Sequence, residues 1–271
     1  MNLIDVSLMT WAVSGVCVVL VGIAKAGFAG GIGVIAVPLL CLVMAPSKAA
    51  AMLLPLLGGC DLVSIYFYRK TFSLRGLRDL DPGAALGISL GALFLWLWSG
   101  NKEATERGLK VMIGVISLFF VVYQVGKTWI FKNLERYHPK PWHGPLFGSA
   151  AGFASTLAHA GGPPVTMFLL PQHMDRRIFV GTTVWLFTLI NATKLIPYYW
   201  LGLFSTENVS MSLYLMPLVP IGVVAGVWMN ERIDQEIFIK IVYAILFLTG
   251  LQLLTGWNPV EAVWGWLGVA T

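Results

Sequence analysis

Long apolar runs, separated by short stretches that hold most of the charge, recur along the whole chain. A helix needs about 20 mostly apolar residues to cross lipid. Six segments read as unbroken spanning helices: Met52 to Tyr68, Pro82 to Trp98, Val111 to Trp129, Phe179 to Leu201, Leu213 to Met229 and Ile237 to Thr255. Two further regions are long but interrupted. Leu8 to Ala24 runs into Lys25-Ala-Gly-Phe-Ala-Gly-Gly-Ile-Gly33 and then a short apolar piece to Val43, and Pro145 to Ala158 runs into His159-Ala-Gly-Gly-Pro-Pro164 and then Val165 to Leu170. Glycine and proline clusters weaken helices, and unpaired backbone at membrane depth is tolerated only where protein or a water-filled cavity covers it. The two breaks are therefore the leading places to look for a site.

Counting every piece as a crossing gives ten segments, and the loops then sort by charge. One side receives Arg69, Lys70, Arg75, Arg78, Lys127, Lys132, Arg136, Lys140, Arg176, Arg177 and Arg232, whereas the other receives Lys48, Lys102 and Arg107. The positive-inside rule makes the first set cytoplasmic and both termini periplasmic. If the two short pieces are re-entrant the count is eight, and Arg176-Arg177 leaves the side of Arg69. The expected fold is an all-α, polytopic helical membrane protein with 8–10 transmembrane segments.

The breaks also occupy matching places in two halves, which an internal repeat would produce. Ala29-Gly30-Gly31 matches Ala160-Gly161-Gly162 at an offset of 131, and at 130 Asp61 falls on Asn191, Glu106 on Glu236 and Lys110 on Lys240. Five crossings per half make the repeats inverted, as in many secondary transporters: residues 1–130 and 144–271, joined by a cytoplasmic loop over 131–143.

Composition narrows the function classes. With 57% hydrophobic and 11% charged residues and a mean hydropathy of +0.77, the chain falls far short of the roughly 25% charge of a soluble domain. The net charge of +5 has a topological explanation, because the basic residues gather on no polar segment with interleaved aromatics, so no nucleic acid is expected. Cys17, Cys41 and Cys60 lie in apolar stretches and read as small hydrophobes; no cofactor or metal is expected. Met1 to Cys17 lacks the basic start and cleavage site of a signal peptide, so the first apolar run is expected to be retained. Trp11, Trp96, Trp98, Trp129, Trp142 and Trp200 near the ends of apolar runs suit interfacial anchoring.

The candidate chemistry follows from the breaks and from ionisable residues inside apolar segments, which are costly there and face a cavity or a partner. If Gly30, Gly31 and Gly33 in one half, and Gly161, Gly162, Pro163 and Pro164 in the other, interrupt helices, the pieces that follow begin in the membrane with free amide donors and a positive dipole end. Such an end attracts anions; the alternative is that the glycines only allow close helix packing. Proline suits a first helical turn. Lys25 either snorkels to the interface or stands as a positive charge beside the anion. Asp61 has no basic residue one turn away, and is read as a coupling or proton-carrying residue or as the partner of Lys25 or Lys194. Asn191 and Lys194 lie about a turn apart, and His159, at the second break, could donate to an oxyanion or shuttle a proton. Ser155 and Thr182 would add neutral donors. A membrane-embedded enzyme would need a nucleophile with a base or a metal cluster, which this inventory lacks, and a cation channel or metal-cation permease would need acidic or histidine rings.

Lys25 to Leu40 and Leu54-Pro-Leu-Leu-Gly-Gly-Cys-Asp61 with Tyr68-Arg69 resemble the first-half pattern of the TauE/SafE family. Gly152-Phe-Ala-Ser155, His159 to Pro164, Leu169-Leu-Pro-Gln172, Gly181-Thr182 and Asn191-Ala-Thr-Lys194 with Pro197-Tyr198 resemble its second half, over about Gly22 to Gly256. The resemblance implies a bacterial inner-membrane secondary carrier, an exporter of sulfite, an organosulfonate or a related small anion, with the motif residues along its pathway. The partners it implies are that anion and membrane lipid, with a homodimer left open; a permease or channel for another small solute or a metal cation is the alternative, and a membrane-embedded enzyme a remote one.

Overall fold

The computed structural model describes residues 7–27, 33–134, 140, 142–232 and 235–257, and among them every regular element is helical. In chain order these are α1 (Leu8–Gly27), a 3₁₀ turn (Gly33–Ile35) leading into α2 (Ala36–Leu40), α3 (Pro46–Tyr68), α4 (Leu74–Trp98), α5 (Lys102–Leu134), α6 (His143–Ala158), α7 (Gly162–Leu169) with a 3₁₀ turn (Leu170–Gln172), α8 (Arg176–Trp200), α9 (Thr206–Leu215), α10 (Leu218–Arg232) and α11 (Gln235–Thr255). Five of the described helices are long and apolar enough to cross a membrane: α1, α3, α4, α8 and the Lys102–Gly126 part of α5. The pair α9 and α10, bent by 52°, makes a sixth. Large apolar side chains such as Leu86, Leu90, Phe119, Val122 and Val125 are exposed on the outer faces of α4 and α5, as lipid contact requires.

Several helices begin a turn or more before the apolar run that signals them. Ser73 caps α4, its side chain accepting from Gly76 N, so the polar stretch from Leu74 to Asp81 joins the helix. Ser205 and Asn208 form a reciprocal capping box at the start of α9, satisfying two of the amides that a helix start leaves open. The expected unbroken helix Leu213 to Met229 is instead bent. Pro217 has no amide hydrogen and cannot continue the ladder; Leu213 O is met by Met216 N at 3.3 Å, and α10 restarts with Val219 N on Met216 O at 3.0 Å.

Lipid offers no hydrophobic drive for one helix to choose another, so close backbone approach through small residues does much of the packing. Gly83 and Gly87 on α4 lie against backbone at Pro145 and Ser149 of α6, while Gly144, Gly148 and Gly152 on α6 lie against Asp79, Leu80 and Ala84 of α4. On the opposite flank Gly22 and Gly27 of α1 face Gly222 and Gly226 of α10, and Asn230 Nδ2 donates to Gly27 O. In addition α3 packs on α8, and α5 packs on α11.

The short segments reverse the chain. Cys17 Sγ approaches Ala36 O at 3.4 Å, and Ser7, Thr10, Val43 and Met44 share one hollow with Lys48 and Glu207, so α2 ends at the level where α1 begins. Likewise α7 ends beside the start of α4, where Leu169 packs on Gly76. Thr71 touches Gly181, and Asp79 touches Gly144. Arg69, Lys70, Arg75, Arg78, Arg176 and Arg177 therefore gather at one end of the bundle. At the other end Lys48 pairs with Glu207 at 3.0 Å and Ser47 donates to Glu106.

Candidate functional site

A narrow hollow lies beside Gly33 and the start of α7. Gly33 and Gly162 are on its wall with Lys25, Ser155, His159 and Asn191, and Val21, Ala36, Leu57 and Phe187 complete it. Three helices supply the polar side chains of the wall. Lys25 comes from the last turn of α1, Ser155 from α6, and Asn191 from the middle of α8. His159 closes α6 in a left-handed conformation with φ of 51°, which turns the chain sharply enough for α7 to start three residues later.

Behind this wall stand two buried ionisable side chains. Asp61, 1% exposed, pairs with Lys25 and accepts from Asn191 Nδ2 at 2.8 Å. Lys194, 0% exposed, donates to Ser155 O at 3.1 Å and Ser155 Oγ at 2.9 Å, and meets His159 Nδ1 at 2.8 Å. The second ring nitrogen of His159 is 2.8 Å from Ala50 O. That contact requires Nε2–H to donate, leaving Nδ1 as the acceptor for Lys194. Each of the two thus fixes two wall groups: Asp61 holds Lys25 and Asn191, and Lys194 holds Ser155 and His159.

The polar capacity left over is mostly donor. An ammonium has three hydrogens. Those of Lys194 are matched by its three partners, whereas Lys25 uses two, on Asp61 and on Leu57 O at 3.2 Å. Ser155 Oγ accepts from Lys194 and keeps its own hydrogen, and Asn191 keeps its second amide hydrogen. In the first turn of α7, Pro163 and Pro164 have no amide hydrogen, and Val165 N bonds Gly161 O at 3.5 Å. The amides of Gly161 and Gly162 have no backbone acceptor among the described residues. Lys25, Ser155, Asn191 and Gly162 therefore line one cavity with donor capacity to spare, and Asp61, the carboxylate beside them, is already bonded to Lys25 and Asn191.

A family model described as Sulfite exporter TauE/SafE matches residues 15–253. The chain belongs to the TauE/SafE family. This TauE/SafE chain is accordingly a multi-pass membrane protein of a transporter family, and the match takes in every residue of the cluster from Lys25 to Lys194. Neither a curated protein nor a solved structure matches it.

Of the positions singled out in the sequence, Lys25, Gly33, Asp61, Ser155, His159, Gly162, Asn191 and Lys194 come together, with Gly161, Pro163 and Pro164 buried beside them. Thr182 does not join them. It accepts from Ser73 N at 2.8 Å and donates back to Ile178 O, near the end of the bundle where α8 begins. Gly30 and Gly31 lie outside the described residues. Sequence reasoning missed the Leu57 carbonyl, which any residue could supply, and Phe187, whose ring would meet a side chain at Gly161 2.9 Å from its Cβ. Tyr198, named in the sequence only as part of the Pro197-Tyr198 motif, donates its hydroxyl to Thr156 O at 2.7 Å.

Proposed function

We propose that this TauE/SafE protein is a secondary carrier that exports a small anion, sulfite or an organosulfonate, across a bacterial inner membrane. The observation behind this reading is the donor-rich cavity, which Lys25, Ser155, Asn191 and Gly162 line while the buried Lys194 side chain donates to Ser155 behind them. Preorganised donors in a site of low dielectric suit an oxyanion, as backbone amides at a helix start do. A cation would find one carboxylate there, already held by Lys25 and Asn191. An interior-negative potential favours anion export by roughly 2.3 kcal/mol per charge per 100 mV, so export needs no coupling ion, and Asp61 would couple a proton only if transport ran inward.

The same reading gives the chain two inverted repeats, residues 1–130 and 144–271. Tyr68 Oη donates to Ala26 O at 2.8 Å, and Tyr198 Oη donates to Thr156 O at 2.7 Å; each residue of the second bond lies 130 positions beyond its counterpart. Asp61 and Asn191, also 130 apart, bond each other, as residues beside a pseudo-twofold axis would. The exchange of partners fits too, α4 on α6 answering α1 on α10. The positive-inside rule puts the arginine-rich end in the cytoplasm and both termini in the periplasm.

Radiolabelled sulfite flux in proteoliposomes at set potential tests the assignment. Potential-driven flux that collapses in Lys194→Met is the expected result. Vesicles that pass no sulfite and no organosulfonate would overturn it.

A further inference from the structure

We infer that Lys194 takes up a proton together with the anion, and that the Ser155 hydroxyl couples the two. The inference rests on the transport reading above and names a second ligand of the same site, the proton. Lys194 Nζ lies within hydrogen-bond distance of Ser155 O at 3.1 Å, Ser155 Oγ at 2.9 Å and His159 Nδ1 at 2.8 Å. The carbonyl can only accept, and Nδ1 accepts because the other ring nitrogen donates to Ala50 O at 2.8 Å. The hydroxyl alone can take either role. A neutral amine would donate to Ser155 O and His159 Nδ1 and accept from Ser155 Oγ through its lone pair. An ammonium donates to all three, and the hydroxyl then accepts. Both forms fit the same heavy-atom positions; they differ in where the Ser155 hydrogen points.

That difference reaches the hollow, because Ser155 is on its wall. Beside a neutral amine the hydroxyl hydrogen is spent on Nζ, and lone pairs are all that Ser155 has left for an anion. Beside an ammonium the hydrogen is free for the anion, and the positive charge stands one hydroxyl behind it. An ammonium with no carboxylate bonded to it is costly to bury, and an anion on Ser155 supplies the missing charge. Proton and anion therefore strengthen each other's binding by the same factor. The proton has a short route: the hydroxyl passes its hydrogen to Nζ and takes one from a hydronium ion reaching the hollow. An N–H bond forms, the O–H bond that breaks is replaced, and the site gains one proton.

Few other groups face Lys194. Among the helices packed on α8, α1 brings Lys25, α3 brings Asp61 and α6 brings His159. The carboxylate of Asp61 is already paired with Lys25 and bonded by Asn191. No titratable residue lies on α7, and Arg75, Arg78, Asp79 and Asp81 of α4 lie near its start, where α8 also begins. On α8 itself Tyr198, a turn further on, donates its hydroxyl to Thr156 O.

Methanesulfonate is the probe, because it keeps its charge across the working pH range and takes no proton itself, whereas sulfite titrates. Its binding to the purified protein is followed by calorimetry across pH, in pairs of buffers that differ in ionisation enthalpy and so count protons. The wild type is expected to bind more weakly as pH rises, by up to about tenfold per pH unit, and to take up to about one proton per anion, the limits for a single linked proton. Half-saturation of methanesulfonate flux in proteoliposomes should follow the same slope. Lys194→Arg, which stays charged, is expected to bind without the slope and without proton uptake. Ser155→Ala should bind more weakly and with a flatter slope. Wild-type binding and half-saturation that do not change with pH, or binding without proton uptake, would overturn the coupling while leaving anion transport standing. A slope unchanged in Lys194→Arg would give the proton to another group and overturn it as well. Should that variant not fold, Lys194→Gln, which holds no proton there, puts the same question at higher anion concentration. Absence of both binding and flux for methanesulfonate and sulfite at every pH would overturn the transport reading and this inference with it.

Discussion

Ser155 serves two neighbours at once, accepting from Lys194 at 2.9 Å while its own hydrogen remains for the cavity. Ser155→Ala removes a donor to the substrate and one partner of a buried ammonium. A hydrogen bond of this kind contributes about 0.5–1.5 kcal/mol, so apparent anion affinity in a flux assay should fall roughly 2- to 12-fold. Thr182→Val removes an equally polar group, but from the pair that anchors Ser73 N. It should lower thermal stability without changing apparent affinity. If the two variants lose affinity alike, the cavity has been drawn in the wrong place. The sequence pointed to Ser155 and Thr182 with equal force, since a hydroxyl in a membrane helix looks the same whether it lines a cavity or bonds its own backbone. Lys25, Asp61, His159 and Lys194 were easier to find because an ionisable group stands out in an apolar run. Which lysine holds Asp61 was not legible there, since it depends on how α1 and α8 lie against α3.

At the level of helices, apolar run length located the spans, and the two breaks were visible as glycine and proline clusters. Helix starts were harder to place, because Ser73 and Ser205 recruit polar residues into α4 and α9 that no hydropathy pattern includes. The partners of each helix were harder still, since a glycine in an apolar run does not name the backbone it will touch. A contrast between two glycines tests the packing. At Gly22 a side chain would meet the Gly222 backbone at 2.8 Å, whereas Gly58 has nothing within 4 Å. Overpacking a close contact costs about 1–3 kcal/mol, so Gly22→Val should lower the unfolding temperature of the purified protein and loosen α1 from α10. Gly58→Ala, inside α3, should be neutral or raise it, because alanine favours helix over glycine by about 1 kcal/mol. Equal losses would mean that the α1 and α10 backbones are not in contact.

The arrangement of the whole bundle turns on the short segments, because α2 and α7 decide which ends of the longer helices share a side. A chain in which α7 failed to return would place Arg177 with Lys102. The contact of Thr71 with Gly181 and the bond from Ser73 N to Thr182 tie the start of α8 to the start of α4 instead. Single cysteines give a direct test, in a background without Cys41, which is partly accessible, and with Cys17 and Cys60 left buried. Lys70, Arg177 and Lys102 are all exposed, so each position can report. Cysteines at Lys70 and Arg177 should react with a membrane-impermeant maleimide only once the cytoplasmic face is opened, and one at Lys102 should react in intact spheroplasts. Reaction at Arg177 from the same face as Lys102 would mean that the second break does not reverse the chain. It would also separate the α7 start from the Lys25 ammonium, and with that the donors converging on the cavity would be lost. The orientation of one eight-residue helix thus decides both the topology and the site, which is why its labelling pattern bears on function as strongly as a flux measurement does.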